Sequence, residues 1–302
     1  MSSNANRLFR LNGALALAGV LVALASMAVA LRAMSFSVPS AARAFAACRS
    51  WLTTLDPVGL LAMAIGAIGM MVIVRTLSSA LRLQRSTSRY LRSLQPVETL
   101  PGYPPVEVVA DAAPQAFCAG LLQPRIYIST GALERLNRDE LRSVLAHETH
   151  HTCVRDPFRL LVTRALGDGL FFVPAMRRMN RDYAMVSELA ADEAAVRAGG
   201  GPQPLASAML TFGEAGDPAV VGVSTERVDH LLGGSPPLLP LRLQVAGGLT
   251  IGVLMLAVLL VAHATATAHI SLMLLLMQSC GPFMLAFPAL LVVAAARAWV
   301  SR

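Results

Sequence analysis

Uncharged apolar stretches alternate with polar ones along the chain, and the apolar blocks have lengths that match a bilayer. Leu11 to Leu31 carries no Asp, Glu, Lys or Arg and is bracketed by Arg10 and Arg32. Pro57 to Val74 is likewise uncharged, between Asp56 and Arg75, and no formal charge occurs from Leu243 to Ala296. A helix needs about 20 residues to cross the hydrocarbon core. The first two stretches therefore predict one span each. The third predicts two, folding back near Ala264-Thr265-Ala266-Thr267-Ala268. The rival reading of the first stretch is a signal peptide, with Arg7 and Arg10 in front and Ala28 and Ala30 behind, but its apolar run exceeds most signal cores.

The polar segment between the span pairs, about Ser86 to Pro240, holds 17 of the 18 acidic residues. It is the one part able to form an aqueous-facing domain. It opens with a proline-rich linker around Pro96, Pro101, Pro104 and Pro105. Val106 to Val109 and Arg125 to Ser129 have the β-branched, alternating character of short strands. Asn137 with Glu140 three residues on forms a capping-box pattern, and Leu141, Val144 and Leu145 carry a helix forward until Asp156-Pro157 ends it. A second helix is predicted from about Asn180 to the stop at Gly199-Gly200-Gly201-Pro202. Phe158 to Met176 is apolar but interrupted by Arg164 and Asp168. Charges at mid-bilayer are costly, so it reads as an interfacial or buried helix, not a fifth span.

Composition agrees: 55% of residues are apolar and 14% charged, about half the charged fraction of soluble domains. The net charge of +7 would suggest nucleic acid in a soluble protein. Here the basic residues, all arginine, cluster beside the spans, where they set orientation and meet anionic lipid. No nucleic-acid partner is expected. Arg75, Arg82, Arg85, Arg89 and Arg92 follow the second span and Arg7 and Arg10 precede the first, whereas Arg32, Arg43 and Arg49 lie between. The positive-inside rule then places the N-terminus and the acidic segment in the cytoplasm, with Arg242, Arg297 and Arg302 on the same side. Cys48, Cys118, Cys153 and Cys280 show no paired spacing, and a reducing compartment argues against disulfides.

The chemistry lies in His147-Glu148-Thr149-His150-His151. His147 and His151 are four apart, so on a helix their imidazoles share a face and can converge on one ion. Glu148 sits one step round, close to where a bound water would be. Zinc lowers the pKa of such a water to about 7, and a neighbouring carboxylate can accept its proton during attack on a peptide carbonyl. His150 falls on another face and reads as a polar neighbour. A catalytic zinc needs a third protein ligand. In Ser187-Glu188-Leu189-Ala190-Ala191-Asp192, Glu188 is the better ligand candidate. Asp192, one turn on, is placed to accept a proton from a ligand histidine and fix its tautomer. The rival reading of Glu188, Asp192 and Glu193 is a solvated acidic face. His230 could approach the site or cap a helix end; His263 and His269 read as interfacial. Met273 and Met277 read as packing material, and Gly281-Pro282 and Pro288 as kinks.

These residues resemble a family. Ala116-Phe117-Cys118-Ala119-Gly120-Leu121-Leu122-Gln123-Pro124-Arg125-Ile126, then Glu140-Leu141 with Val144-Leu145-Ala146-His147-Glu148, then Arg155-Asp156-Pro157, Pro174, and Glu188 with Ala191-Asp192, look like the BlaR/MecR group of membrane metallopeptidases. The similarity runs through about Pro105 to Leu232. It implies that His147, His151 and Glu188 bind zinc, that Glu148 is the general base, that Asp192 supports a ligand, and that the site faces the cytoplasm. The HtpX-like and CAAX-protease group shares the zinc helix and the later acidic helix. Ser224-Thr225-Glu226-Arg227-Val228 with Leu231 is similar to a later element of that group, which makes Arg227 a candidate transition-state contact. Antibiotic sensors of the BlaR/MecR group carry an outer penicillin-binding domain. The chain closes at Arg302 soon after its last apolar stretch, and the outer loop from Arg32 to Asp56 is short, so β-lactam sensing is not expected.

The expected fold is a membrane protein, mainly α, with about four transmembrane helices and a cytoplasmic α+β zincin-like protease domain. Residues 1–85 form a two-span membrane region, 86–240 the zinc metalloprotease domain, and 241–302 a C-terminal transmembrane hairpin. The expected function is a zinc endopeptidase of the inner membrane acting on a cytosolic or membrane-proximal protein, with the bilayer as its other partner and a repressor-type regulator as one substrate class. Two rivals stand beside it: a broad membrane quality-control protease, and a membrane scaffold in which zinc only stabilises the fold. The sequence does not fix the oligomeric state.

Overall fold

A computed structural model describes residues 2–35, 57–100, 106–215, 225–232 and 241–265, with residues 40, 42 and 270–271. Cys48, Cys280, His269, Pro101 to Pro105, and the second limb of the expected C-terminal hairpin with its methionines and prolines lie outside them.

The chain divides into two compact units, Met1–Ala18 with Val74–Thr250, and Gly19–Ile73 with Ile251–Arg302. Helices α1 (Ser2–Ala33), α2 (Pro57–Ser93) and α9 (Leu241–Ala264) each contain a segment long and apolar enough to cross a membrane. Among the described residues these three are the candidate spans. Helix α9 ends at Ala264, and residues 266–269, where the fold-back was expected, lie outside the described residues. In the second unit Ala33, Ala62 and Val261 form a buried cluster with Val29 and Ile65 against it, one layer from each helix. Gly69 lies against the backbone of Ala23, where a β-carbon would come within 2.5 Å of the carbonyl oxygen. Small residues let membrane helices pack this closely. Here Met34–Ser35 (β1) also pairs in parallel with Ile270–Ser271 (β6).

The first unit holds a mixed sheet of order β2-β3-β5-β4, made from Pro96–Thr99 (β2), Val106–Val109 (β3), Ala116–Ala119 (β4) and Arg125–Ser129 (β5). β3 and β5 run parallel, and β2 and β4 flank them antiparallel. The two strands expected from sequence occur with the expected bounds. The other two are additions. Pro96 opens an edge strand in place of the expected linker, a position where a missing N–H costs nothing. Six helices follow: α3 (Thr130–Arg135), α4 (Arg138–Val154), α5 (Asp156–Gly169), α6 (Pro174–Gly199), α7 (Gln203–Ala215) and α8 (Thr225–Leu231). The expected start of α6 at Asn180 is corrected to Pro174, where proline's fixed φ and missing donor suit the first turn. At 14 residues α5 is too short to cross a bilayer.

Alternation along the strands sends Val106, Val108, Ile126 and Ile128 to one face, where Val144 and Leu145 of α4 and Ala208 of α7 cover them. Each fully buried aliphatic side chain contributes about 1.5–3 kcal/mol. The opposite face carries Phe117 and Tyr127, paired across β4 and β5 with ring centroids 5.3 Å apart. Tyr90, near the end of α2, packs on Phe117 at 5.6 Å. The small sheet thus lies between α4 with α7 on one side and the end of α2 on the other.

Candidate metal centre

Helix α4 is set by its first turn. The Asn137 side chain accepts from the backbone N–H groups of Asp139 and Glu140, and Glu140 Oε2 accepts from Asn137 N at 2.8 Å. This capping box matches the sequence expectation. Ser207 of α7 donates to the other Glu140 oxygen at 2.5 Å, which ties α4 to its neighbour. The helix buries Val144, Leu145, His147, Glu148 and His151 along one side. Arg155, with φ 56° and ψ 44°, then breaks the helix in the left-handed region, and Asp156 opens α5 at once.

His147 Nε2 and His151 Nε2 point at one another, 3.1 Å apart. From α6 the Glu188 carboxylate straddles them, with Oε2 3.5 Å from His147 Nε2 and Oε1 3.6 Å from His151 Nε2. Among the described residues this is the group whose ligand atoms converge. Two zinc–nitrogen bonds of about 2.0–2.1 Å at a tetrahedral angle would put their nitrogens about 3.3 Å apart. The three observed edges bracket that value, so the N,N,O donor set fits a small divalent cation. Glu188 is 36% exposed at its side chain, which leaves the third corner reachable from solvent.

Both histidines are backed by a carboxylate. Asp192 Oδ1 lies 3.0 Å from His147 Nδ1, though out of line for a hydrogen bond, so the contact is ionic. Asp156 Oδ2 lies 2.6 Å from His151 Nδ1. Asp156 also accepts from the Tyr183 hydroxyl at 2.9 Å and from the Ser187 hydroxyl. Such outer partners orient ligand imidazoles and raise their basicity. Burial disfavours charged His147, but contacts with Asp192 and Glu188 outweigh it and hold the imidazole up at about 10 in the metal-free site. His151 is raised in the same way, against its own burial, by Asp156. Burial pushes Glu188, Asp156 and Asp192 up as well, yet the imidazole contacts bring all three below the usual carboxylate range.

Arg227 reaches in from α8. Leu231 of that helix packs on Ala195, Leu205 and Met209, which aims the arginine at α6. Its Nε and Nη2 donate to the two oxygens of Asp192 at 2.8 and 2.6 Å, and Nη1 lies 3.3 Å from Glu188 Oε2. The guanidinium is 6% exposed. His150, by contrast, is half-buried beside His151, with burial holding its imidazole below the ordinary value. His230 sits 3.8 Å from Glu193.

These groups open onto a cleft of about 490 Å³ whose lining includes Glu148, His147, His151, Glu188 and Arg227. Leu205, Met209 and Phe212 form an apolar wall, and Tyr90, Gln115, Leu160 and strand β4 also line the cleft. β4 pairs only with β5, so its outer edge keeps backbone groups unpaired among the described residues. Cys118 of β4 contacts Thr152 at 3.3 Å, and burial pushes its thiol up to about 11. Neither Cys118 nor Cys153 belongs to the converging group, and both are free thiols.

Sequence reasoning gave Asp156 no role at the site, reading it as a helix stop and as part of the Arg155-Asp156-Pro157 run, and it missed Tyr183 and Ser187. The available signal was local: a carboxylate five residues after the second histidine and immediately before a proline at a helix start. Nothing in the spacing of Tyr183 and Ser187 marks them before α6 is docked on α5.

Residues 20–223 match the model of the BlaR1 peptidase M56 family. The chain belongs to that family. The M56 match covers the second part of α1, all of α2, the sheet and helices α3 to α7. A protease HtpX homolog from Pediococcus pentosaceus (strain ATCC 25745 / CCUG 21536 / LMG 10740 / 183-1w) is 46% identical over 50 residues, 16% of this chain and 17% of that protein. The chain therefore matches about a sixth of the length of that curated relative. No solved structure matches the chain.

Proposed function

We propose that the protein is a membrane-anchored zinc endopeptidase that hydrolyses a peptide bond in a cytosolic or membrane-proximal protein. The observation that carries this reading is the triangle of His147, His151 and Glu188 beside Glu148 in an open cleft. His147 Nε2, His151 Nε2 and the Glu188 carboxylate would hold the metal. A bound zinc ion would supply Lewis acidity, activating water and polarising a carbonyl.

The remaining work falls to the chain. Glu148 takes a proton from the attacking water on a carboxylate oxygen and returns it to the leaving amine. Asp192 and Asp156 keep each imidazole turned toward the ion. Arg227 neutralises Asp192 and Glu188 together and holds them in place, so in this reading it is a positioning residue and does not contact the reacting carbonyl. The free edge of β4 offers backbone groups to an extended substrate, and the apolar wall excludes water from it. The arginine distribution supports an inner-membrane protein with the site on the cytoplasmic side.

Membership of the M56 family supports a regulatory substrate, whereas the stretch shared with the HtpX homolog supports broad quality control. Glu148→Gln should retain zinc and abolish cleavage; full activity in that variant would remove the base assignment. Comparing the proteome of cells carrying the active and Glu148→Gln forms separates one dominant substrate from many. Zinc bound with no cleavage of any protein in that comparison would favour the scaffold.

A further inference from the structure

We propose that the arginine-bearing face of α2 beyond its apolar stretch is a docking strip for an acidic segment of the substrate protein. The inference rests on the peptidase reading above and adds how the substrate is captured.

Helix α2 does not stop at the end of its apolar stretch but runs on to Ser93. Arg82, Arg85, Arg89 and Arg92 follow at spacings of three, four and three. At about 100° per residue they fall within an arc of about 80° and along about 15 Å of helix. All four are exposed. The neighbouring face of α2 is pinned. Ser79 donates to Asp168 at 2.5 Å, Tyr90 packs on Phe117, and its hydroxyl donates to Gln115 at 3.4 Å. The strip therefore has a fixed direction and ends where Tyr90, Gln115 and Phe117 border the cleft.

Among the described residues the charges of the strip are not matched. Arg89 Nε and Arg92 Nε donate to the backbone carbonyls of Arg85 and Ser88, which leaves the guanidinium ends outward. No carboxylate stands within ion-pair distance of any of the four among the described residues. Elsewhere in the same unit Arg125, Arg197 and Arg227 each have an acidic partner. A row of guanidinium forks on one face suits a row of carboxylates, which they bind in bidentate fashion.

Lipid head groups are the rival partner, and the length of α2 argues against them. Arg92 lies 18 residues past Val74, about 27 Å along one unbroken helix. The head-group layer is only about 5–8 Å deep on each side. A helix whose apolar part crosses the bilayer carries its distal arginines beyond that layer, even when tilted. Anchoring also requires no shared face.

The test is binding, read with the full-length Glu148→Gln protein in phosphatidylcholine nanodiscs. The probes are a fluorescent glutamate-rich peptide and its glutamine counterpart. The glutamate peptide should bind about tenfold more tightly, and more weakly as salt rises. Arg82→Gln, Arg85→Gln, Arg89→Gln and Arg92→Gln combined should remove that advantage, while the exposed set Arg135→Gln, Arg138→Gln and Arg142→Gln should keep it. Equal binding of both peptides, or equal loss in both variants, overturns the proposal. If the strip variant instead loses only its retention by phosphatidylglycerol vesicles, the membrane is the partner and the proposal fails. Because no cleavage is read, this result stands or falls separately from the peptidase assignment.

Discussion

Asp156 shows how much of the centre depends on one residue outside the zinc-type motif. It meets one imidazole and two hydroxyls while 2% exposed. Asp156→Asn should lower metal affinity about 10–100-fold, because His151 loses its orienting acceptor while the ligands themselves remain. Competition with a chromogenic chelator measures this, and unchanged affinity would show that His151 needs no support. Protonation gives a second expectation. Contacts with Asp192 and Glu188 raise His147 to about 10 against its burial, and the contact with Asp156 raises His151 as well. Metal loading near neutral pH must then release at least one proton, and affinity must rise with pH. A folded-state pKa above the unfolded value gives stabilisation that is full below about 6.5 and lost as pH rises toward 10. Calorimetric loading in buffers of different ionisation enthalpy reads the proton count; no proton release would contradict the charge state of the apo centre. The two histidines of the candidate metal group were legible in the sequence because helical spacing alone brings His147 and His151 to one face. Asp156 was not, because its role exists only once α5 turns back across the end of α4.

Among the elements, legibility followed side-chain chemistry. The β-branched runs at β3 and β5 announced themselves, and the Asn137 box located the start of α4 to the residue. Strand β4, Ala-Phe-Cys-Ala, has weak intrinsic β preference and is held by pairing with β5, a contact no local pattern reports. β2 was hidden by Pro96, which reads as a breaker except at an edge. The α4–α5 junction is the strained point. Arg155 is the one non-glycine residue at positive φ among the described residues, a conformation that costs an L-residue roughly 1–2 kcal/mol. Its side chain is exposed, so Arg155→Gly should stabilise the protein by about 1 kcal/mol. Thermal unfolding in detergent checks this. A loss of stability would mean that the arginine side chain holds the junction.

At the scale of the molecule, composition alone separated apolar blocks from the acidic segment, and three of the blocks are membrane-length helices. What composition could not give is how far α2 continues, since polar residues after Val74 look like the end of a span. The proposed orientation has a direct check. Cys153 is exposed, so in a variant with Cys48, Cys118 and Cys280 replaced by serine it should, in intact cells, resist a membrane-impermeant maleimide and react with a permeant one. Labelling by the impermeant reagent would put the site on the outer side.

Helix α6 supplies Glu188 and Asp192 to His147 and, one turn earlier, Tyr183 and Ser187 to Asp156 behind His151. A single rod therefore clasps both halves of the centre, and its axial position is gauged at four points at once. Sliding it by one turn, about 5.4 Å, would strip every one of these contacts together. Half-built intermediates have no stable footing, so these four contacts should be gained or lost together as α6 seats.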